Sequence, residues 1–311
     1  MTSQIGRRKL FKLGAAGGVG LGLAAWLPGF RGTASADEDG RNSGGRVPFV
    51  ALAVTPSGDG FWTLNRTGRV FRFGGAPRFT DPMDPGRVLY VGLGATPSGR
   101  GLYALTRNGH IRTFGDAQVF DERAPDQASA ECAPAIPYVA LEVTPSGDGL
   151  WALNALQQVT SFGGAPRFSD PSDPGTPELY VGLGATPSGQ GLYALTQNGH
   201  IRTFGDAQVF DRRRAADAQA SAECPPAVPF VALSVTPSGD GLWALNALGH
   251  VVSFGGARRF TDPMDPGRVL YVGLGATPSG RGLFALTERG HIRTFGDARA
   301  FNEHDEADEP S

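Results

Sequence analysis

The sequence predicts an all-β protein: a six-bladed β-propeller built from three copies of a two-blade unit. The motif TPSG occurs six times, beginning at residues 55, 96, 144, 186, 236 and 277, so successive copies lie 41 to 50 residues apart. Repeats of this length are typical of propeller blades or of short solenoid units. Odd and even copies differ, and residues 78–102 recur unchanged as residues 259–283. The duplicated unit is therefore a pair of repeats, about 90 residues long.

Each stretch of a repeat predicts a strand or a turn. In the first repeat, residues 49–54 alternate larger and smaller side chains, which favours a strand. PSGDG then predicts a turn, FWTLN a second strand, and RVFRFG a third strand after the turn at Gly68. Gly74 and Gly75 favour a tight turn, and APRF then predicts a short fourth strand. Four antiparallel strands in each of six repeats are the pattern of a propeller.

The repeat resembles the YVTN/NHL-like propeller repeats of exported bacterial proteins. The residues that carry the resemblance are VTPSG at 54–58, Phe61 with Trp62, GRV at 68–70, and Phe73 with Gly74. The repeat departs from the family pattern in placing Phe-Gly where an aspartate often follows the third strand. The resemblance covers about residues 47–301 and implies a propeller fold. That family includes scaffolds, binding proteins and some enzymes, so it does not select a function.

Residues 1–36 predict an export signal. A basic start is followed by an apolar run rich in Gly, Ala and Leu and then by a small-residue cleavage site at Ala34 and Ala36. Arg7 and Arg8 resemble the twin-arginine (Tat) signal, although Gly6 replaces the usual Ser or Thr. An uncleaved membrane anchor is the alternative interpretation. We therefore expect an exported protein, either periplasmic or secreted.

The remaining chain is predicted to comprise a flexible linker at 37–46, the propeller at 47–301 and an acidic disordered tail at 302–311. From Asp37 onwards it contains 23 Arg and 30 acidic residues, a net charge of −7 (23 − 30). This acidic balance argues against nucleic acid as a partner. No second apolar run is long enough to span a membrane. We expect a monomer whose partner is an extracytoplasmic protein or polysaccharide.

The first strand of each repeat is expected to line the propeller axis. One of its faces carries Ala, Gly or Ser in every repeat except the third, which has Glu142. Small residues would let six inner strands approach closely. Because a carboxylate is costly away from water, we expect Glu142 in a water-filled channel, either as a functional group or as a solvated charge.

Several repeated side chains have both structural and functional interpretations. His110, His200 and His291 occupy equivalent positions, but a metal site would require them to converge, and the third strand should lie away from the axis. Arg112 and Asp116 are expected to pair locally. The tryptophans of the odd repeats are expected in the core between blades rather than in a glycan-stacking wall. We predict neither a metal nor another cofactor.

A disulfide between Cys132 and Cys224 is allowed in an exported protein. The two residues lie in matching linkers, about one third of the ring apart. Loops arching over one face could bring them together, whereas positions on the rim could not meet the Cα separation of about 7 Å. The sequence therefore does not decide whether this disulfide forms.

The function predicted from the sequence is that of a non-enzymatic binding or scaffold module. Nearly every polar feature occurs three times, whereas catalysis needs one asymmetric set of nucleophile, base and orienting group. The alternative is a propeller-type hydrolase or lyase acting on an extracellular polymer. That alternative requires a non-repeating acidic or histidine cluster in the axial pocket.

The face that carries the irregular loops is predicted to bind the partner, and the TPSG face to be structural. Loops between strands two and three emerge there, together with the long linkers between blade pairs. The candidate binding residues are Arg212, Arg213, Arg214, Glu142, His110, His200 and His291. We also expect the ring to close by packing the first blade on the sixth, without strand exchange between the termini.

Overall fold

The computed structural model describes residues 47–79, 88–120, 136–168, 179–210, 228–260 and 269–301. These residues form six antiparallel sheets of three strands each, and none of them is helical. Each sheet is one blade, so the predicted six-bladed all-β fold is confirmed. Each repeat builds one blade.

The strands follow one another in the same order in every blade. Blade 1 contains β1 (Phe49–Val54), β2 (Gly60–Asn65) and β3 (Val70–Gly74); blade 2 contains β4 (Tyr90–Ala95), β5 (Gly101–Thr106) and β6 (Ile111–Gly115); blade 3 contains β7 (Tyr138–Val143), β8 (Gly149–Asn154) and β9 (Val159–Gly163). Blade 4 contains β10 (Tyr180–Ala185), β11 (Gly191–Thr196) and β12 (Ile201–Gly205); blade 5 contains β13 (Phe230–Val235), β14 (Gly241–Asn246) and β15 (Val251–Gly255); blade 6 contains β16 (Tyr271–Ala276), β17 (Gly282–Thr287) and β18 (Ile292–Gly296).

The first strands of the six blades contact one another in a closed ring. Their side chains point alternately towards the two neighbouring blades. Gly92 and Gly94 of β4 lie against Leu141 and Val143 of β7, and a Cβ atom at Gly94 would lie 2.5 Å from Val143 Cγ2. The small residues on these strands therefore permit the close approach of adjacent blades, as expected.

The cores lie between blades. Trp62, Trp151 and Trp243 are fully buried, and Trp62 packs with Leu93 and Leu102 of the next blade. The Trp62 indole also donates a hydrogen bond to the Pro77 carbonyl at 2.9 Å. The core position predicted for the tryptophans is confirmed.

The predicted fourth strand is wrong within the described residues. Residues 76–79 follow β3 but form no strand. The Pro77 carbonyl is taken by the Trp62 indole, and Phe79 lies against Gly115 and Phe114 of the next blade. Because the phenylalanine packs across the junction, this segment joins two blades instead of extending its own sheet.

Blade 6 closes the ring on blade 1 through the contacts expected. Phe49 N–H donates to the Glu288 carbonyl at 2.8 Å. The Phe61 and Phe284 rings lie 5.1 Å apart, and Phe301 packs on Gly74. Among the described residues, neither the first nor the last sheet contains a strand from elsewhere in the chain. Residues 37–46 lie outside the described residues, so their part in this prediction stays untested.

The six TPSG turns follow the first strands, and each turn packs against the next around one end of the ring. In blade 2, Asp116 accepts hydrogen bonds from the hydroxyls of Thr96 at 3.0 Å and Ser98 at 2.6 Å. The proline of each turn packs on the glycine of the next, as Pro56 does on Gly99. These contacts account for the repeated TPSG motif as a structural turn. Asp116 accepts these two hydrogen bonds from the TPSG turn of its own blade, and its expected pairing with Arg112 stays a prediction.

Candidate functional site

The described part of the propeller has two contrasting faces. The TPSG face carries the TPSG turns and the turns that follow the third strands. The loop face carries the turns between second and third strands, together with the starts of the first strands. On the loop face, the residue that follows each second strand occupies an equivalent position. We call these six residues the loop-face ring: Arg66, Arg107, Ala155, Gln197, Ala247 and Glu288.

Main-chain hydrogen bonds fix the loop-face ring in place. In blade 1, Arg66 N–H donates to the Pro48 carbonyl at 2.9 Å, and the Arg66 carbonyl accepts from Tyr90 N–H of blade 2 at 3.0 Å. The first of these bonds occurs in all six blades, and the second joins five of the six junctions among the described residues. The six side chains therefore start from rigid positions at the junctions between blades.

The loop-face ring breaks the threefold repetition of the chain. Its charged members, Glu288, Arg66 and Arg107, belong to the consecutive blades 6, 1 and 2. The other three members carry no charge. The sequence interpretation missed this asymmetry, although it is visible in the residue that follows WTLN, YALT, WALN, YALT, WALN and FALT in turn.

Arg66 interacts electrostatically with the other two charged members of the ring. All three side chains are partly buried. Burial is the main effect that lowers the pKa of the Arg66 guanidinium, the carboxylate of Glu288 raises it, and the positive charge of Arg107 lowers it further. Arg66 thus lies close enough to Glu288 of blade 6 and to Arg107 of blade 2 to interact electrostatically with both. Guanidinium groups offer several N–H donors in a planar fork, an arrangement that suits carboxylates, sulfates and phosphates.

The three predicted histidines lie on the loop face but do not meet. His110, His200 and His291 are exposed, and each precedes the third strand of a different blade. The His110 main-chain N–H donates to the Thr106 hydroxyl at 2.9 Å, so this residue belongs to the turn. Among the described residues, no group of three or more His, Cys, Asp or Glu side chains is placed to hold a metal ion.

Glu142 lies at the junction between blades 3 and 4, near the TPSG end of its strand. Its Oε1 accepts a hydrogen bond from Ala185 N–H at 3.2 Å. Burial raises the pKa of this carboxyl to about 7, and the Ala185 hydrogen bond acts in the opposite direction. The residue as a whole is partly buried. Glu142 therefore bridges two blades and lies apart from the histidines, and its expected position in a water-filled channel stays a prediction.

The equivalent positions show that Glu142 replaces a simple junction residue. In blade 5, the Ser234 hydroxyl accepts from Ala276 N–H at 3.1 Å, in the same manner. In blade 1 the position is Ala53, which has no acceptor to offer. Ser234 also borders a cavity of about 320 Å³ on the TPSG face, lined by Pro56, Pro237 and Pro278. That lining contains no ionisable side chain, so the cavity offers mainly shape and van der Waals contact.

Other predicted site residues lie outside the described residues and stay predictions. They are Arg212, Arg213 and Arg214, the cysteines Cys132 and Cys224, and the signal residues Arg7, Arg8, Ala34 and Ala36. In the described part of the chain there is no helix of the length and apolar character needed to cross a membrane.

Comparison with known proteins identifies a fold. No protein-family model and no curated protein matches the chain. Among solved structures, the chain is similar to the β-propeller domain of Myceliophteria thermophila Cps50 (Swd1). The TM-score is 0.50 and the identity 14%, over 81% of this chain and 85% of that one. At this identity the likeness shows the β-propeller fold alone.

Proposed function

We propose that this chain is an exported, non-enzymatic β-propeller that binds an anionic extracytoplasmic partner through its loop face. The observation that supports the proposal is the asymmetric charge of the loop-face ring. A threefold repeat would place the same residue on every second blade, yet Arg66 and Arg107 occur once each at their positions. Rigid main-chain bonds hold both at blade junctions, as a recognition surface requires.

The chemistry of the ring favours binding over catalysis. Two guanidinium groups and one carboxylate can hold an anionic group, but the ring offers Glu288 no second carboxylate, serine, cysteine or histidine with which to form a catalytic pair. The signal-like residues 1–36 and the resemblance to YVTN/NHL-like repeats support export of the folded propeller.

Binding is tested with surface-immobilised protein and three probes: polygalacturonate, polyaspartate and neutral dextran. We expect the two anionic probes to bind at low salt and R66A/R107A to lose most of that binding. The control R78A/R100A removes two exposed arginines on the TPSG side, with the same change in net charge. An equal loss in both double variants would show a general charge effect and contradict the proposal.

Export is tested separately by replacing Arg7 and Arg8 with lysine. We expect the precursor to accumulate in the cytoplasm of the host bacterium, because the twin-arginine pathway requires the arginine pair. Undiminished export of this variant would show that the pair does not direct transport.

A further inference from the structure

The cavity on the TPSG face has rigid, apolar walls. It lies between the TPSG turns of blades 5, 6 and 1 and has a volume of about 320 Å³. Each of its three prolines packs on the glycine of the next turn, as Pro278 does on Gly58, so the walls are held by contacts between blades. Its volume is at the lower end of the roughly 300–1,000 Å³ that is typical of ligand pockets. The apolar lining consists of Val54, Pro56, Val235, Pro237, Ala276 and Pro278.

This cavity suits an apolar group of a ligand and excludes a charged one. None of the residues that line it is ionisable, so a charge inside it would lose its water without gaining a partner. The Ser234 hydroxyl accepts a hydrogen bond from Ala276 N–H at 3.1 Å, and among the described residues no acceptor takes its own proton. The cavity can therefore bury a large apolar side chain and offer one hydrogen bond to a carbonyl group beside it.

Carboxylates surround the mouth of the cavity. Thr55 and Thr277, which belong to its lining, donate hydrogen bonds to Asp59 at 2.9 Å and to Asp297 at 3.0 Å. The turn of blade 5 is built in the same way around Asp240. All three aspartates are exposed, and hydrogen bonds from serine and threonine hydroxyls hold the pKa of each below its usual value. The mouth therefore carries three ionised carboxylates at neutral pH.

The charge around the mouth favours a basic partner. Within the TPSG turns of blades 5, 6 and 1, Arg281 is the one positively charged residue. Other arginines of this side, such as Arg78 and Arg258, follow the third strands, which lie farther from the axis than the first strands. A cation beside the mouth would be attracted by several carboxylates, whereas an anion would be repelled.

We propose that the TPSG face binds a basic segment of another protein, which inserts one large apolar side chain into the cavity between Pro56, Pro237 and Pro278. Lysine or arginine residues on either side of the inserted side chain contact the carboxylates at the mouth. This site is separate from the loop face and does not rest on the function proposed for that face. A propeller with both sites would hold an anionic partner at one end of its axis and a basic partner at the other.

The chemistry of the partner is tested by calorimetry on the unmodified protein with three acetylated peptides: Lys-Lys-Phe-Lys-Lys, Lys-Lys-Ser-Lys-Lys and Glu-Glu-Phe-Glu-Glu. We expect the first peptide to bind roughly tenfold more tightly than the second, because the phenylalanine ring leaves water. The acidic peptide should not bind, and salt should weaken both lysine peptides. Equal affinity for the two lysine peptides would overturn the insertion, and binding of the acidic peptide would overturn the role of charge.

The position of the inserted side chain is tested by photo-cross-linking to the unmodified protein. The probe is the first peptide with benzoylphenylalanine in place of phenylalanine. We expect mass spectrometry to find cross-links at Val54, Val235 or Ala276, which line the cavity. Cross-links confined to other surfaces would show that the side chain does not enter it.

Two matched substitutions test the cavity itself. A276V narrows it by introducing the residue that the odd blades carry at the same position, and A95V makes the same change in blade 2, outside the lining. We expect A276V to lose most of the preference for the phenylalanine peptide over the serine peptide, and A95V to keep it. Equal preferences in the two variants would contradict the proposal.

The carboxylates are tested with D59N/D240N at the mouth and with D148N/D206N on blades 3 and 4, which make the same change in net charge. We expect the first pair to weaken both lysine peptides several-fold and the second pair to weaken them less. R66A/R107A on the loop face should bind the peptides as the unmodified protein does. A loss of peptide binding in R66A/R107A, with none in D59N/D240N, would place the contact on the loop face and overturn this site.

Discussion

The carboxylate of Asp116 accepts a hydrogen bond from the Thr96 hydroxyl at 3.0 Å, although twenty residues separate them. In odd blades the equivalent threonine hydroxyl donates instead to an aspartate within its own turn, as Thr55 does to Asp59 at 2.9 Å. The two positions of the aspartate exclude each other within one blade. Gly75 occupies the place of Asp116 in blade 1, and a Cβ atom there would lie 2.6 Å from Asp59 Oδ2.

This exchange predicts a rescue between two substitutions. D116G leaves Thr96 and Ser98 without their acceptor and should lower the free energy of unfolding by about 1 kcal/mol. R100D in the same chain recreates the odd-blade sequence, with aspartate in the turn and glycine after the third strand. We expect R100D/D116G to recover most of the loss in urea denaturation. A double variant no more stable than D116G would show that the two positions are not interchangeable.

Glu142 should make stability depend on pH. Its pKa lies near 7 in the folded protein against 4.5 in the unfolded chain, so the folded state holds the proton more tightly. The stabilising effect is present at low pH and is lost as the pH rises from about 4.5 through about 7. We expect E142Q to be increasingly more stable than the unmodified protein between pH 5 and pH 8. Denaturation at each pH measures the difference, and a constant difference would contradict the prediction.

Phe284 offers a site for stabilisation. The hydroxyls of Tyr103 and Tyr193 accept hydrogen bonds from Gln118 N–H and Gln208 N–H, both at 3.0 Å, whereas the equivalent Phe284 has no hydroxyl. F284Y should gain the bond from Arg299 N–H and raise stability by about 1 kcal/mol. The matched control, Y103F, should lower it by a similar amount. Thermal denaturation distinguishes these outcomes, and a loss of stability in F284Y would count against the equivalence of the blades.

The turn after β8 carries backbone strain that a glycine would relieve. Gln157 has φ 71°, a conformation that side chains disfavour, and the other five blades have glycine at this position. In those blades the glycine lies against an aromatic ring of the next blade, as Gly68 does against Tyr90. We expect Q157G to raise the free energy of unfolding by about 1 kcal/mol. The control Q158G, beside it in the same turn, should have no stabilising effect.

The fold could be predicted because its signals are local and repeated. Turn residues such as Gly68 recur in nearly every repeat, and the alternation of side chains marks the strands. The prediction of a fourth strand was wrong because the packing of Phe79 depends on Gly115, which lies in the next blade. The sequence of a short apolar segment does not show which of two neighbouring sheets the segment will contact.

The candidate site was harder to predict than the fold. Attention to repeated residues led to the histidines, which the structure keeps apart, and a break in the repeat of small residues led to Glu142, which the structure places at a blade junction. Arg66 and Arg107 look like ordinary turn residues in the sequence. Their meaning depends on ring closure, which makes blades 6, 1 and 2 neighbours and brings Glu288 to Arg66 across 222 positions of sequence (288 − 66).

Because blade 6 packs on blade 1 much as neighbouring blades pack elsewhere, the ring does not depend on which junction carries the break in the chain. The hydrogen bond from Phe49 to Glu288 also occurs at four of the five internal junctions among the described residues, so it does not mark where the circle begins. A circular permutant that opens between residues 120 and 136 should fold to the same ring. Duplication of the two-blade unit can therefore change the size of the ring. Copying or deleting one unit would change the number of blades by two and would keep the same types of contact at each junction.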